Sequence, residues 1–265
     1  MSTLAAGDDT SFDENYGVVW GAYHAKELHG GTELTRTVGP GSQFDSKLHY
    51  TSGYFHMKMK PPGRDSAGVV TAFYVRTRSN NDEMDFELLG NRTGKRYALQ
   101  TNIFINGKGD REQKINLWFD PTADFHDYSI LWNPFQIAFF VDGVPIRVLK
   151  NMPGTGAGYP QKPMTLIGSI WDGDRWATEG GKQKINWTYA PFTASFGGFA
   201  VDAACPFGTA AGAGGCRTAW WNSPKFWNLS PSQQLQYQHV KSQLRFYDYC
   251  SDRSRYPTPP PECPV

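Results

Sequence analysis

Along much of the chain, apolar and polar residues alternate singly instead of recurring every third or fourth position. Between positions 53 and 60, Phe55, Met57 and Met59 alternate with His56, Lys58 and Lys60. That is the pattern of a strand buried on one face. Further runs predict strands over 68–76, 82–89, 97–105, 114–119, 126–132, 135–141, 144–149 and 164–171. The Asp142-Gly143 pair between two of them is a hairpin signal. Many short strands with turns between them predict a two-sheet, all-β sandwich.

One helix is expected. Ser230 suits the N-cap, Pro231 the first helical position, and Gln233 completes a capping box. Leu235, Val240, Leu244 and Tyr247 follow at near-helical spacing. The stretch 256–264 is rich in proline and cannot be regular structure; it is expected to lie along the body, held by Cys263. No internal repeat or linker is visible. The chain therefore reads as one domain with a flexible tail over 1–15, a β body over 16–200 and a C-terminal extension over 201–265.

Composition narrows the classes. A length of 265 residues is normal for one sandwich and long enough for a sizeable core. The formal net charge is only +1, with no basic run. A nucleic acid or an anionic membrane as main partner would favour a basic patch. No apolar run approaches the roughly 20 residues that span a bilayer. Residues 1–15 are polar and do not read as a secretory leader, so the chain is either cytosolic or a mature form whose leader was replaced by Met1. The cysteines favour the second. All four (Cys205, Cys216, Cys250 and Cys263) lie in the last quarter, among Gly and Pro. Sequential pairing, Cys205–Cys216 and Cys250–Cys263, closes two short loops. Metal binding is the competing reading, but no C-x-x-C or paired His accompanies them, and neither metal nor cofactor is expected. Aromatic residues make up 15% of the chain, including nine Trp, an excess that suits stacking on sugar rings as well as a core.

The sharpest chemical signal is Asp82-Glu83-Met84-Asp85-Phe86-Glu87-Leu88. On a strand, Met84, Phe86 and Leu88 point one way, into a core, and Glu83, Asp85 and Glu87 the other. Three carboxylates in a row raise one another's pKa and oppose folding, so the arrangement implies a use. Positions i and i+4 lie about 13 Å apart at Cα. Two Glu side chains leaning together can approach the ~5–5.5 Å carboxyl separation of retaining glycosidases, against roughly 6.5–9.5 Å in inverting ones. Asp85, between them, can hydrogen-bond a neighbour. A solvated acidic face would more often mix Lys and Thr among the acids, and the spacing does not fit an EF-hand loop. Spacing alone does not say which Glu is nucleophile and which is acid.

The segment DEMDFELLGNRTG resembles the catalytic signature of the plant xyloglucan endotransglucosylase/hydrolases of glycoside hydrolase family sixteen, usually H-D-E-I-D-F-E-F-L-G-N. LQTNIFINGKGDREQ, LWFDPTADFHDYSILW, VDGVPIRV, DRWATEGG and YDYCSDRSRYPTPPPEC resemble further family segments in family order. The resemblance implies a β-jelly-roll of two curved antiparallel sheets, with substrate crossing the concave one. It implies Glu83 as nucleophile, Glu87 as general acid/base and Asp85 as helper. It places the family's glycosylated asparagine on Asn91, within the sequon Asn91-Arg92-Thr93; Asn186 and Asn228 also open formal sequons. Substrate contacts carry over to Gln100, Thr101 and Asn102, to Asp110, Arg111 and Glu112, and to Trp176, Gly180 and Arg253. For Arg111 an ion pair with Glu112 or Asp110 is the competing reading. Tyr74 and Trp171 match cleft aromatics, with burial as core the alternative.

Asn81, Met84 and Leu88 depart from the signature, 38–44 lacks the family's Ser/Gly-rich form, and Arg175 replaces an Asp beside the acceptor side. The expected donor is xyloglucan, with cellulose or mixed-linkage glucan as further donors. The expected function is a retaining endo-transglucosylase, secreted to the plant cell wall and acting as a monomer on a polysaccharide donor and a glucan acceptor. Two alternatives stand beside it: a jelly-roll lectin that grips glucan without cutting it, and a mainly hydrolytic endoglucanase. The acidic row argues against the lectin, and the compact INGKGDREQ segment favours transfer over hydrolysis.

Overall fold

The computed structural model describes residues 10–28, 31–36, 41–79, 82–212, 214 and 216–263. Positions 1–9, 38–40 and Asn81 lie outside them. A helical turn, α1 (Phe12–Asn15), comes first. Phe12 is buried, with its ring edge-on to Phe44 and Phe199. These residues pack on the body, where the sequence reading expected a tail reaching 15.

Next come β1 (Tyr16–Trp20), β2 (Ala25–Leu28), β3 (Gly31–Arg36), β4 (Ser42–Ser46), β5 (Tyr50–Lys60), β6 (Val69–Arg76), β7 (Glu83–Leu89) and β8 (Ala98–Phe104). They are followed by β9 (Gln113–Asn116), β10 (His126–Trp132), β11 (Gln136–Val141), β12 (Val144–Lys150), β13 (Thr165–Asp172), β14 (Phe192–Gly197) and β15 (Ala204–Pro206). Helix α2 (Pro231–His239) precedes the last strand, β16 (Arg245–Asp248). Two eight-stranded antiparallel sheets result. The first runs β1-β4-β13-β6-β7-β8-β9-β16; the second runs β12-β11-β10-β5-β14-β3-β2, with β15 on β5.

The core lies between the sheets. Met84, Phe86 and Leu88 are fully buried, as alternation along β7 requires. Phe86 reaches across to Phe139 at 5.1 Å and Tyr128 at 5.6 Å between ring centres. Burying such a ring stabilises the fold by about 2–3 kcal/mol. The Asp142-Gly143 turn holds φ of 49° and 74°, the left-handed pair that a two-residue hairpin needs. The nine expected strands are all present. Those at 16–20, 25–28, 31–36, 42–46, 192–197, 204–206 and 245–248 were not foreseen; most are short or lie toward a sheet edge. β9 ends at Asn116, where a strand to 119 was expected, because the chain turns there to cross to the second sheet, leaving Trp118 42% exposed.

Two disulfides join Cys205 to Cys216 and Cys250 to Cys263. The C-terminal extension straddles both sheets. Trp221 packs over Leu131, Ala138 and Phe140 on the outer face of the second sheet, while β16 pairs with β9 at the edge of the first. Ser230 and Gln233 form the expected capping box. The helix does not use the expected apolar stripe, however. Leu235 is 75% exposed and Tyr247 lies in β16; only Val240 is fully buried, at the start of a π-helical turn, Val240–Leu244. No helix among the described residues is long and apolar enough to cross a membrane.

Candidate active site

The acidic strand lies near the middle of the first sheet, and its register orders the outer face into rows. Glu83 stands opposite Arg76 on β6 and Phe104 on β8; Asp85 opposite Tyr74 and Asn102; Glu87 opposite Ala72 and Gln100. The Glu87 row continues through Ser169 to Gln43 on one side and to Lys114 on the other. The strand ends at a close crossing. A Cβ on Gly90 would lie 2.1 Å from the Ser66 carbonyl oxygen, so only glycine fits there.

A cleft of about 360 Å³ opens over these rows, lined by the three carboxylates with Trp20, Gln43, Tyr74, Arg76 and Trp171 among others. Gln43 organises its far wall. Its carbonyl accepts from Trp20 Nε1 at 3.0 Å and from Tyr74 Oη at 3.3 Å, and its amide donates to Asp45 at 2.7 Å. Trp20, Gln43, Arg76 and Ser169 escaped the sequence reading. A signal for two of them existed: Gln43-Phe44-Asp45 alternates, and Val18-Val19-Trp20 is an apolar run beside it.

The carboxylates stand in unequal surroundings. Burial pushes Glu83 up, but Arg76, with Nε 3.9 Å away, and a hydrogen bond with Asp85 pull it back toward the ionised form. Asp85 is fully enclosed and raised well above its ordinary value by burial and by both glutamates; Arg147 and the Asn102 N–H, at 2.6 Å, oppose this. Burial pushes Glu87 up to about 7. The Gln100 amide, at 2.6 Å, lowers it, while Glu83 and Glu112 raise it. Burial thus raises both glutamates, against a nearby guanidinium at Glu83 and a side-chain amide at Glu87, and Glu87 titrates near neutral pH.

Residues 12–189 match the family described as Glycosyl hydrolases family 16, and 215–263 match the Xyloglucan endo-transglycosylase (XET) C-terminus. Xyloglucan endotransglucosylase/hydrolase protein 2 of Arabidopsis thaliana is 52% identical over 257 residues, 95% of this chain and 88% of that protein. The chain belongs to the xyloglucan endotransglucosylase/hydrolases of glycosyl hydrolase family 16. Xyloglucan endotransglucosylase protein 2 of Diospyros kaki is 47% identical over 262 residues, 96% of this chain and 88% of its own length. Among solved structures, a prokaryotic β-1,3-1,4-glucanase (lichenase) from a mouse hindgut metagenome matches with TM-score 0.59 and 25% identity, over 71% of this chain and 92% of that one. Apo Crh5 transglycosylase matches with TM-score 0.59 and 25% identity, over 72% and 81%. The chain is an enzyme of this family, which sets the lectin reading aside.

In this xyloglucan endotransglucosylase/hydrolase the remaining expected site residues divide. Tyr74 and Trp171 line the cleft, and Trp176 packs 5.8 Å from Trp171. Arg175 and Gly180 are exposed on the same loop. Gln100 and Asn102 face the acidic row, whereas Thr101 does not. Alternation turns its buried side chain inward, where its hydroxyl accepts from Arg147 at 3.0 Å. Arg111 pairs with neither Glu112 nor Asp110. Its guanidinium meets Glu262 at 2.5 Å and the carbonyls of Lys108 and Gly109, so it ties the C-terminal extension to the rim. Arg255, which the sequence reading passed over, bonds Asp110 and Glu112. Arg253, two residues away, is exposed and makes no ion pair among the described residues. Asn91 follows the acidic strand, and its amide donates to the Arg96 carbonyl at 2.9 Å.

Proposed function

We propose that this enzyme is a retaining endo-transglucosylase that cuts a β-1,4-glucan backbone, xyloglucan foremost with cellulose or mixed-linkage glucan as further donors, and passes the fragment to a glucan acceptor. The observation that carries the reading is geometric: Glu83, Asp85 and Glu87 line one cleft from one face of β7, with Arg76 Nε 3.9 Å from the Glu83 carboxyl and the Gln100 amide 2.6 Å from that of Glu87. Glu83, favoured as the anion by Arg76 and Asp85, attacks the anomeric carbon. Glu87, protonated near neutral pH, gives its proton to the departing glycosidic oxygen as that bond breaks. The glycosyl-enzyme ester removes the Glu83 charge, which lets Glu87 ionise more readily and take the proton of the incoming sugar hydroxyl. Asp85 holds the Glu83 carboxylate during the attack. Gln100 and Asn102 offer amides to neutral hydroxyls, and Tyr74, Trp171 and Trp176 offer stacking faces.

The acceptor lies on the Trp176 side, where it occupies the space from which water would attack. The enzyme works as a monomer, outside the cell in the plant wall, with a glycan on Asn91 beside the cleft. Both disulfides suit an oxidising compartment.

The covalent step is tested with Glu87→Ala and an aryl glucoside of xyloglucan oligosaccharide, whose leaving group needs little acid help. The protein mass should rise by one glycosyl unit, mapped to the peptide holding Glu83. An adduct on another residue, or turnover retained in Glu83→Gln, would overturn the assignment.

A further inference from the structure

Arg147 lies on β12 of the second sheet, yet its guanidinium is buried beneath the acidic strand of the first, 2% exposed. Nη1 donates to the Thr101 carbonyl at 2.8 Å and to its hydroxyl at 3.0 Å, and Nη2 donates to the Arg111 carbonyl at 2.6 Å. The rings of Phe139 and Tyr249 enclose it at 5.7 and 5.8 Å. Among the described residues no carboxylate comes within ion-pair distance of it. An unpaired buried cation is expensive to keep unless a nearby negative field offsets its lost hydration.

Both gripped carbonyls belong to neighbours of one residue, Asn102. The Asn102 N–H holds Asp85 at 2.6 Å, and its side-chain oxygen accepts from the backbone N–H of Ile103 at 2.9 Å and of Arg111 at 3.0 Å. Arg147 therefore clamps the two segments that Asn102 bridges, and Asn102 carries that constraint to the acidic row. Charged or titratable groups face the guanidinium from several elements: Asp85 from β7, Asp248 from β16, Tyr249 from the turn after β16 and Tyr237 from α2. Burial keeps Tyr249 neutral, and Asp248 is paired with Arg245 at 2.8 Å. Asp85, itself pressed by Glu83 and Glu87, is the carboxylate that Arg147 is left to serve.

We infer that Arg147 is a positioning residue for the reaction, fixing Asn102 against Asp85 from below and supplying the buried positive charge that lets three carboxylates share one strand face. The inference rests on the proposed reaction, because it concerns the same carboxylates.

Arg147→Gln removes the charge and keeps a donor; Arg147→Lys keeps the charge and loses the two-carbonyl grip. In Arg147→Gln the cleft carboxyls should titrate about one pH unit higher by 13C NMR, because a nearby cation no longer favours their ionised forms. kcat should fall about ten-fold or more, with KM within about three-fold. Arg147→Lys should keep the wild-type titration and lose only kcat. A folded Arg147→Gln with wild-type titration and kcat, or one that loses thermal stability alone, would overturn the inference. If Arg147→Gln does not fold, a folded Arg147→Lys with wild-type kcat overturns it equally. The titration needs no substrate, so a wild-type protein that fails to cut glucan counts against the reaction and leaves the carboxyl readout to judge Arg147.

Discussion

Gln100 stands directly opposite Glu87 on the β7–β8 ladder, and its side-chain amide donates to the Glu87 carboxyl at 2.6 Å. The bond favours the ionised form, while burial, Glu83 and Glu112 favour the protonated one. The balance leaves Glu87 at about 7, a value that suits both of the duties proposed for it, acid and then base.

That balance sets a pH limb. Donor cleavage needs protonated Glu87, so kcat/KM should decline as pH rises through about 7. Gln100→Leu removes a group that lowers the Glu87 pKa, so the limb should move to higher pH. A pH–rate profile with an unmoved or lowered alkaline limb would count against Glu87 as the acid.

The same burial has a stability consequence. Glu87 binds its proton more tightly folded than unfolded, its pKa rising from 4.5 to about 7. Between those values the folded state holds more protons, so stability falls as pH rises. Glu87→Gln carries no such charge. Its melting temperature should exceed the wild-type value by a margin that widens from pH 4.5 to 7 and then levels off. A margin that is constant with pH would contradict the assigned shift.

The acidic strand was legible because period-two alternation fixes which side chains share a face, and Met84, Phe86 and Leu88 obeyed it. The same rule, applied to β8, would have removed Thr101 from the cleft: Gln100 and Asn102 face outward, so Thr101 must face the core. The partners of Arg111 and Arg255 were not legible, because Glu262 lies 151 residues from Arg111 and Asp110 145 residues from Arg255. The pairing of β16 with β9 and the Cys250–Cys263 loop that follows it bring them together. Leu235 misled for a related reason: α2 packs along a sheet edge and leaves that leucine in solvent.

The C-terminal loop is therefore expected to matter for the rim. Cys250 and Cys263 are 13 positions apart, and closing a loop of that size is worth about 3 kcal/mol in the chain-entropy account. Cys250→Ser with Cys263→Ser should lower the melting temperature and weaken substrate binding, because Glu262 loses its hold on Arg111. An unchanged KM in the folded double variant would separate the loop from the cleft. Titration of the native protein should find no free thiol.

Trp176 packs against Trp171 at 5.8 Å on the loop that carries Arg175. Trp176→Ala should lower transfer to an added acceptor several-fold more than it lowers donor cleavage. Equal losses in both rates would place Trp176 with the donor, or with the fold alone.

The central claim is that a sugar, rather than water, resolves the glycosyl-enzyme. High-molecular-weight xyloglucan is incubated with the protein and labelled xyloglucan oligosaccharides, and polymer size, label distribution and reducing ends are followed together. The account predicts that label enters polymer and that polymer size falls faster as oligosaccharide is added, without a matching rise in reducing ends. A rise in reducing ends equal to the number of cuts, with no label in polymer, would show a hydrolase and contradict it.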